Sequence, residues 1–205
     1  MMSESRANHR LSLMHTMNDK KQQTVELETQ RLLLRDFVPE DLADVHAYAR
    51  EPQSVRYMDW GPNTEAQTAD FLTRKLAAQR ALPRAEYELA VVLKETARVI
   101  GGIGLRLSRP AHRAGDMGYV FNPQHWGRGY CTEAAAAIVA FGLGQLRLHR
   151  IYATCDPDNR ASARVMEKIG MTYEGRLRDY TWEKEKWRDS LIYAILETDA
   201  HPGRD

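Results

Sequence analysis

The chain has 205 residues, 43% of them hydrophobic, which suits one α/β domain with a single core. Lysine plus arginine (29) balances aspartate plus glutamate (28), so no global field draws it to nucleic acid or an anionic membrane. No apolar run nears the roughly 20 residues of a membrane span, the start lacks a signal peptide's apolar centre, and two cysteines with seven unclustered histidines argue against a disulfide framework or a metal site.

A cytoplasmic protein with reduced thiols is therefore expected. Residues 1–24 are polar and aperiodic and are expected to form a flexible tail, with a second short tail at 199–205; residues 25–198 then make up the folded domain. "ETQRLLLRDF" (28–37) reads as a strand, and "PEDLADVHAYAR" opens a helix with a proline and early acids. After "DWGPN", Asn63 or Thr64 can cap a long helix to about Ala81, with Phe71, Leu72, Leu76 and Ala77 on one face.

Three short strands then follow in a meander: "YELAVVLK" (87–94), "VIGGIGLRLS" (99–108) and "DMGYVF" (116–121). Beyond them the pattern predicts a loop, a helix over 132–146, a strand at 150–155, a helix over 161–169, and two last strands near 171–180 and 188–196. The order is β-α-α-β-β-β-α-β-α-β-β.

The loop "NPQHWGRGYCTEA" (122–134) joins a strand to a helix through two glycines. The first turn of a helix offers unpaired N–H groups and the positive dipole end, and glycine lets a phosphate approach the backbone, so this layout fits an anion site as well as a plain turn. It is not a Walker loop, because Tyr130 and Cys131 follow Gly129 where lysine and a hydroxyl residue are required. It is not the dinucleotide fingerprint either: the third glycine is missing, and Gln145–His149 falls where the ribose-binding acid belongs.

Gln124-His125-Trp126-Gly127-Arg128-Gly129 resembles the Gln/Arg-x-x-Gly-x-Gly/Ala loop of the GNAT acyltransferase superfamily. Together with "HRIYATCDPDNRASARVMEKIGMTYEGRLRDY", "KWRDSLIYAIL" and "RLLLRDFVPEDL", it is similar to the RimJ/RimL-like branch, which acetylates ribosomal-protein N-termini; the likeness covers about residues 26–197. The resemblance implies a mixed six- to seven-stranded sheet flanked by helices, with acetyl coenzyme A between two splayed parallel strands, here 116–121 and 150–155. It implies that the amides of Gly127, Arg128, Gly129, Tyr130 and Cys131 hold the pyrophosphate in a loop opened by Gln124. Val120 and Phe121 would pair through their backbone with the pantetheine arm, and Asn159 would bind that arm. Arg128 either adds charge or is a solvated surface residue, and Asn159 equally suits a helix cap.

Acetyl transfer to an amine needs a neutral nucleophile, a stabilised oxyanion and a departing thiolate. Ser162 matches a serine that the branch places near the sulfur, or else is a small first-turn residue. The glutamate and tyrosine that some relatives use fall at Thr154 and Met166, so that pair is absent. Asp116 is left as a base acting through water, or as an exposed strand-end acid. Cys131 sits at a helix start, which lowers thiol pKa, yet nothing suggests a covalent acyl-cysteine route. At pH 7 an α-amine with pKa about 8 is roughly 10% neutral and a lysine amine about 0.04%, a gap of around 3 kcal/mol, so a weak-base site favours an α-amine. Tyr57, Trp60, Tyr180, Trp182 and Trp187 fall where the family builds its acceptor cleft, as pocket walls or as packing.

The expected partners are acetyl coenzyme A and an amine, with the enzyme a monomer or homodimer and no metal, nucleic acid or membrane involved. Two rivals stand beside N-terminal acetylation. One is acetylation of a small amine such as an antibiotic or polyamine, which an acidic cleft would favour; the other is a non-catalytic acyl coenzyme A sensor.

Overall fold

The computed structural model describes residues 24–199. Apart from Thr24 and Asp199, the expected tails lie outside the described residues. Eight strands form one sheet: β1 (Glu26–Glu28), β2 (Leu32–Asp36), β3 (Glu86–Leu93), β4 (Arg98–Arg109), β5 (Ala114–Phe121), β6 (Arg150–Cys155), β7 (Thr172–Glu183) and β8 (Lys186–Leu196). Four α-helices accompany it: α1 (Leu42–Ala49), α2 (Glu65–Ala78), α3 (Tyr130–Gly144) and α4 (Arg160–Lys168). The spatial order of strands is β1-β2-β3-β4-β5-β6-β8-β7.

The sheet has one strand more than the seven expected at most, because "ELETQRLLLRD" is a hairpin rather than a single strand. Thr29 turns the chain: its amide donates to the Leu32 carbonyl, its hydroxyl oxygen accepts from the Leu32 amide, and Glu26–Glu28 folds back antiparallel on 33–35. The cap foreseen for the long helix is present, Thr64 Oγ1 accepting from the Gln67 amide at 3.2 Å while the Gln67 side chain accepts from Thr64 N.

Alternation along the strands divides the core between the two faces of the sheet. Leu32, Leu34, Leu89, Val91, Ile103 and Met117 pack with Ile138 of α3 and Met166 of α4, while Phe37, Ala90, Val92 and Val99 pack with Val45 and Tyr48 of α1 and Leu72 of α2.

The feature that positions the site is the parallel pair. β5 and β6 are hydrogen-bonded only through Ala114–Asp116 and Arg150–Tyr152. Past that point β5 remains bonded to β4 as far as Phe121, and β6 to β8 as far as Cys155, so the two strands part from each other. The splay leaves backbone groups without sheet partners, and such groups require another partner or water.

Candidate active site

The α1/α2 face of the sheet forms the floor of a cleft of about 760 Å³. Register places its residues in rows across β3, β4 and β5: Glu86, Arg106 and Asp116; then Glu88, Gly104 and Gly118; then Ala90, Gly102 and Val120. Glycines therefore bare the middle of the floor, beginning two residues beyond the point where β5 leaves β6. Nothing lies within 4 Å of where a Cβ on Gly118 would stand.

Two carboxylates of the floor are neutralised by cations. Arg106 is ion-paired with Asp116, and Lys75 of α2 lies 3.3 Å from Glu86 and 3.6 Å from Glu88. This corrects the expectation for Asp116: it lines the cleft, but a carboxylate already held by a guanidinium is a poor proton acceptor. Glu88 differs. It keeps 29% of its side-chain surface exposed, yet it sits deep among protein atoms, and burial pushes its pKa above the usual carboxylate range despite the opposing pull of Lys75.

Across the splay, Tyr119 of β5 reaches Ser162 of α4, its hydroxyl 2.8 Å from Ser162 Oγ and 3.1 Å from the Ser162 carbonyl. Burial raises the Tyr119 pKa far above its ordinary value, so the phenol stays protonated. Asn159 caps α4, its Oδ1 accepting from the Ser162 amide at 3.2 Å. The cap and the proposed cofactor contact thus involve the same side chain.

The glycine loop leads into α3, which starts at Tyr130, two residues earlier than expected. Gly127 and Gly129 have φ of +74° and +80°. A Cβ on Gly127 would meet nothing within 4 Å and one on Gly129 only Arg31 at 3.4 Å, so the glycines are required for their dihedrals and not to avoid a clash. Gln124 and Arg128 are exposed beside them. The Phe121 carbonyl accepts from Trp126 Nε1 at 2.9 Å, while Val120 lines the cleft. Cys131 is only half-buried as a residue, but its thiol packs against the core and burial drives its pKa up, overriding the helix-start effect. Burial likewise raises Cys155, to about 11.

A clamp not foreseen in the sequence holds this loop. Glu133 Oε1 accepts from Thr29 Oγ1 at 2.6 Å and from the Arg31 amide at 2.8 Å, and Oε2 accepts from Arg31 Nε at 2.7 Å. The Arg31 guanidinium then donates to the Arg128 carbonyl at 3.0 Å and lies over the Tyr130 ring.

The aromatics divide. Trp60 lines the cleft. The Tyr57 hydroxyl donates to the Asp158 carbonyl at 3.4 Å, tying the α1–α2 loop to the turn before α4. Tyr180, Trp182 and Trp187 do not line the cleft, a correction to their expected role. They lie, largely exposed, on the long β7–β8 hairpin, where Trp182 and Trp187 pack edge to face. That hairpin reaches the α1–α2 loop through Lys184, which donates to the Val55 carbonyl at 3.1 Å. Among the described residues no cluster of three or more His, Cys, Asp or Glu side chains could hold a metal ion, and no helix is long and apolar enough to cross a membrane.

A splayed parallel pair facing a glycine loop and a helix start is the geometry expected of an acyl coenzyme A enzyme, and sequence comparison decides the family. Residues 31–172 match the acetyltransferase (GNAT) domain model. The chain belongs to the GNAT acetyltransferase family. It is 35% identical over 173 residues to the uncharacterised N-acetyltransferase YnaD of Bacillus subtilis, covering 84% of this chain and 98% of that one. A crystal structure of a GNAT-family acetyltransferase from Bacillus anthracis superposes with a TM-score of 0.76 at 34% identity, over 84% of this chain and 99% of that one. The ribosomal protein uS5-alanine N-acetyltransferase of Escherichia coli is 31% identical over 88 residues, covering 43% of this chain and 45% of that one. This GNAT member is an N-acetyltransferase, and the family draws its acetyl group from acetyl coenzyme A.

Proposed function

We propose that this GNAT enzyme acetylates the α-amine of a protein or peptide N-terminus by direct transfer from acetyl coenzyme A. The observation that carries the reading is the glycine-floored cleft beside the β5–β6 splay. Lys75 and Arg106 pair with Glu86 and Asp116, which leaves Glu88, Asp59 and Asp70 as the cleft carboxylates that a cationic amine can meet. The α-amine is favoured by the Escherichia coli relative, an alanine N-acetyltransferase of ribosomal protein uS5.

The residues present fit the donor: positive-φ glycines bare the backbone at the start of α3, and the strands part beside it. When bound, acetyl coenzyme A supplies an acetyl group activated as a thioester. The amides from Gly127 to Cys131 hold its pyrophosphate, with Gln124 and Arg128 at the loop's exposed edge. The backbone of Val120 and Phe121, together with Asn159, holds the pantetheine arm. Ser162 provides a proton at the departing sulfur, supported by Tyr119, and Trp60 packs against the acceptor.

A panel of peptides with free N-termini and of small amines, scored for thiol release with acetyl coenzyme A, tests this. Turnover of peptides at least tenfold faster, by kcat/KM, than of polyamines or aminoglycosides is expected. Preference for a polyamine would transfer the acceptor assignment to small amines.

A further inference from the structure

We infer that Glu88 is the general base of this enzyme, standing on β3 and reaching across Gly104 toward the splay. The inference rests on the acetyl-transfer reading above and extends it to a residue outside every motif of the sequence.

Three observations converge on Glu88. First, it shares a row with Gly104 and Gly118, so only two bare backbone positions, about 10 Å in strand spacing, separate its Cα from the mouth of the splay. Second, its carboxylate already leans over that floor, for a Cβ on Gly104 would come within 2.5 Å of Glu88 Oε2. The missing side chain at 104 is what lets the carboxyl lie there. Third, the other floor carboxylates are paired more closely: Asp116 is bound by Arg106, and Lys75 stands nearer Glu86 than Glu88.

The groups around Glu88 come from several elements. Lys75 and Arg74 are presented by α2, the Tyr48 hydroxyl by α1, Glu86 by the same strand, and Arg106 and Asp116 by β4 and β5; Asp59 and Asp70 line the same cleft farther out. Burial and the two carboxylates raise the Glu88 pKa and Lys75 lowers it, with burial the largest influence. A carboxyl moved upward in this way is, in its ionised form, a better proton acceptor than an ordinary one.

The protons balance as follows. The acceptor arrives as an ammonium, and the Glu88 carboxylate, directly or through one water, takes one N–H proton and passes it to solvent. The nitrogen lone pair forms the N–C bond, and the C–S bond breaks with its electron pair on sulfur. Ser162 gives sulfur a proton, and the nitrogen's second proton makes good that loss. The products are the amide, free coenzyme A and one proton.

Because Glu88 must be ionised to act, kcat/KM rises with pH through its pKa. The test uses whichever amine of the panel is turned over, so an error in acceptor class does not touch it. Glu88→Gln should lower kcat/KM about 100-fold or more and flatten the acid limb, with acetyl coenzyme A affinity by calorimetry unchanged. Lys75→Met, by removing the opposing cation, should move the acid limb to higher pH. Gly104→Ala, whose new methyl meets the movable carboxyl end of Glu88 first, should lower kcat/KM severalfold without lowering the melting temperature. Carbon-13 NMR titration of the Glu88 carboxyl in the donor complex gives a readout independent of turnover. An unchanged acid limb in Glu88→Gln, or an ordinary carboxylate pKa in that titration, would overturn the assignment.

Discussion

Tyr119 and Ser162 meet across the β5–β6 splay, where the proposed donor site lies, and their pairing sets what each can do. The buried phenol keeps one hydrogen within reach of both Ser162 Oγ and the Ser162 carbonyl; when that hydrogen goes to Oγ, the serine's own hydrogen can turn toward the departing sulfur. Such a contact strengthens as charge builds on sulfur, so it acts on the transition state more than on bound donor. Ser162→Ala should therefore lower kcat roughly 10- to 100-fold, the low end of general-acid effects because a thiolate leaves easily, with donor affinity nearly intact. Tyr119→Phe should give a smaller loss in the same direction. Full kcat in Ser162→Ala across pH 6 to 9 would reduce Ser162 to a residue of the helix turn. The sequence singled out Ser162 and Asn159 because both fall within a family motif. It concealed Tyr119, whose strand drew notice only for its backbone, and Glu88, which reads as the polar member of an alternating strand. One signal was present: Glu88 shares its face with Ala90 and Val92, which are buried.

At the scale of elements, the glycine loop is held in place by its neighbours. Burial disfavours charge on Glu133, but hydrogen bonds from Thr29 and from Arg31, backbone and side chain, outweigh it and hold the carboxyl below its ordinary pKa. Through Arg31 this acid on α3 fixes the Arg128 carbonyl, and so the direction in which the loop's amides point. Glu133→Gln should raise the KM for acetyl coenzyme A roughly tenfold, as expected for about 1–2 kcal/mol of a partly exposed charged contact, with a smaller effect on kcat. An unchanged KM would mean that the loop holds its shape without the clamp. The clamp was illegible in the sequence, since Arg31 and Glu133 are about 100 positions apart and meet only because β2 lies under the start of α3. The strand–helix order was readable from periodicity. The break at Thr29 was not, because the apolar run of β2 masked a turn made by one threonine.

Over the whole molecule, the cleft carries a cost in stability that pH should expose. Glu88 has a higher pKa folded than unfolded, so the native state binds more protons than the unfolded one between the ordinary carboxylate value of about 4.5 and the raised folded value. Stability contributed by this group is therefore present below that window and is lost as pH rises through it, leaving a buried charge only partly offset by Lys75. Sites of chemistry commonly sacrifice stability in this way, and here one sheet both anchors the core and holds the acid over its bared glycines. Glu88→Gln removes the titration and keeps the shape. Its melting temperature relative to the natural chain should thus increase from pH 4 to pH 8 by a few degrees, while the same variant loses activity. A difference that stayed flat across that range, or that ran the other way, would place the Glu88 carboxyl in a solvated environment and remove the physical basis for its role as a base.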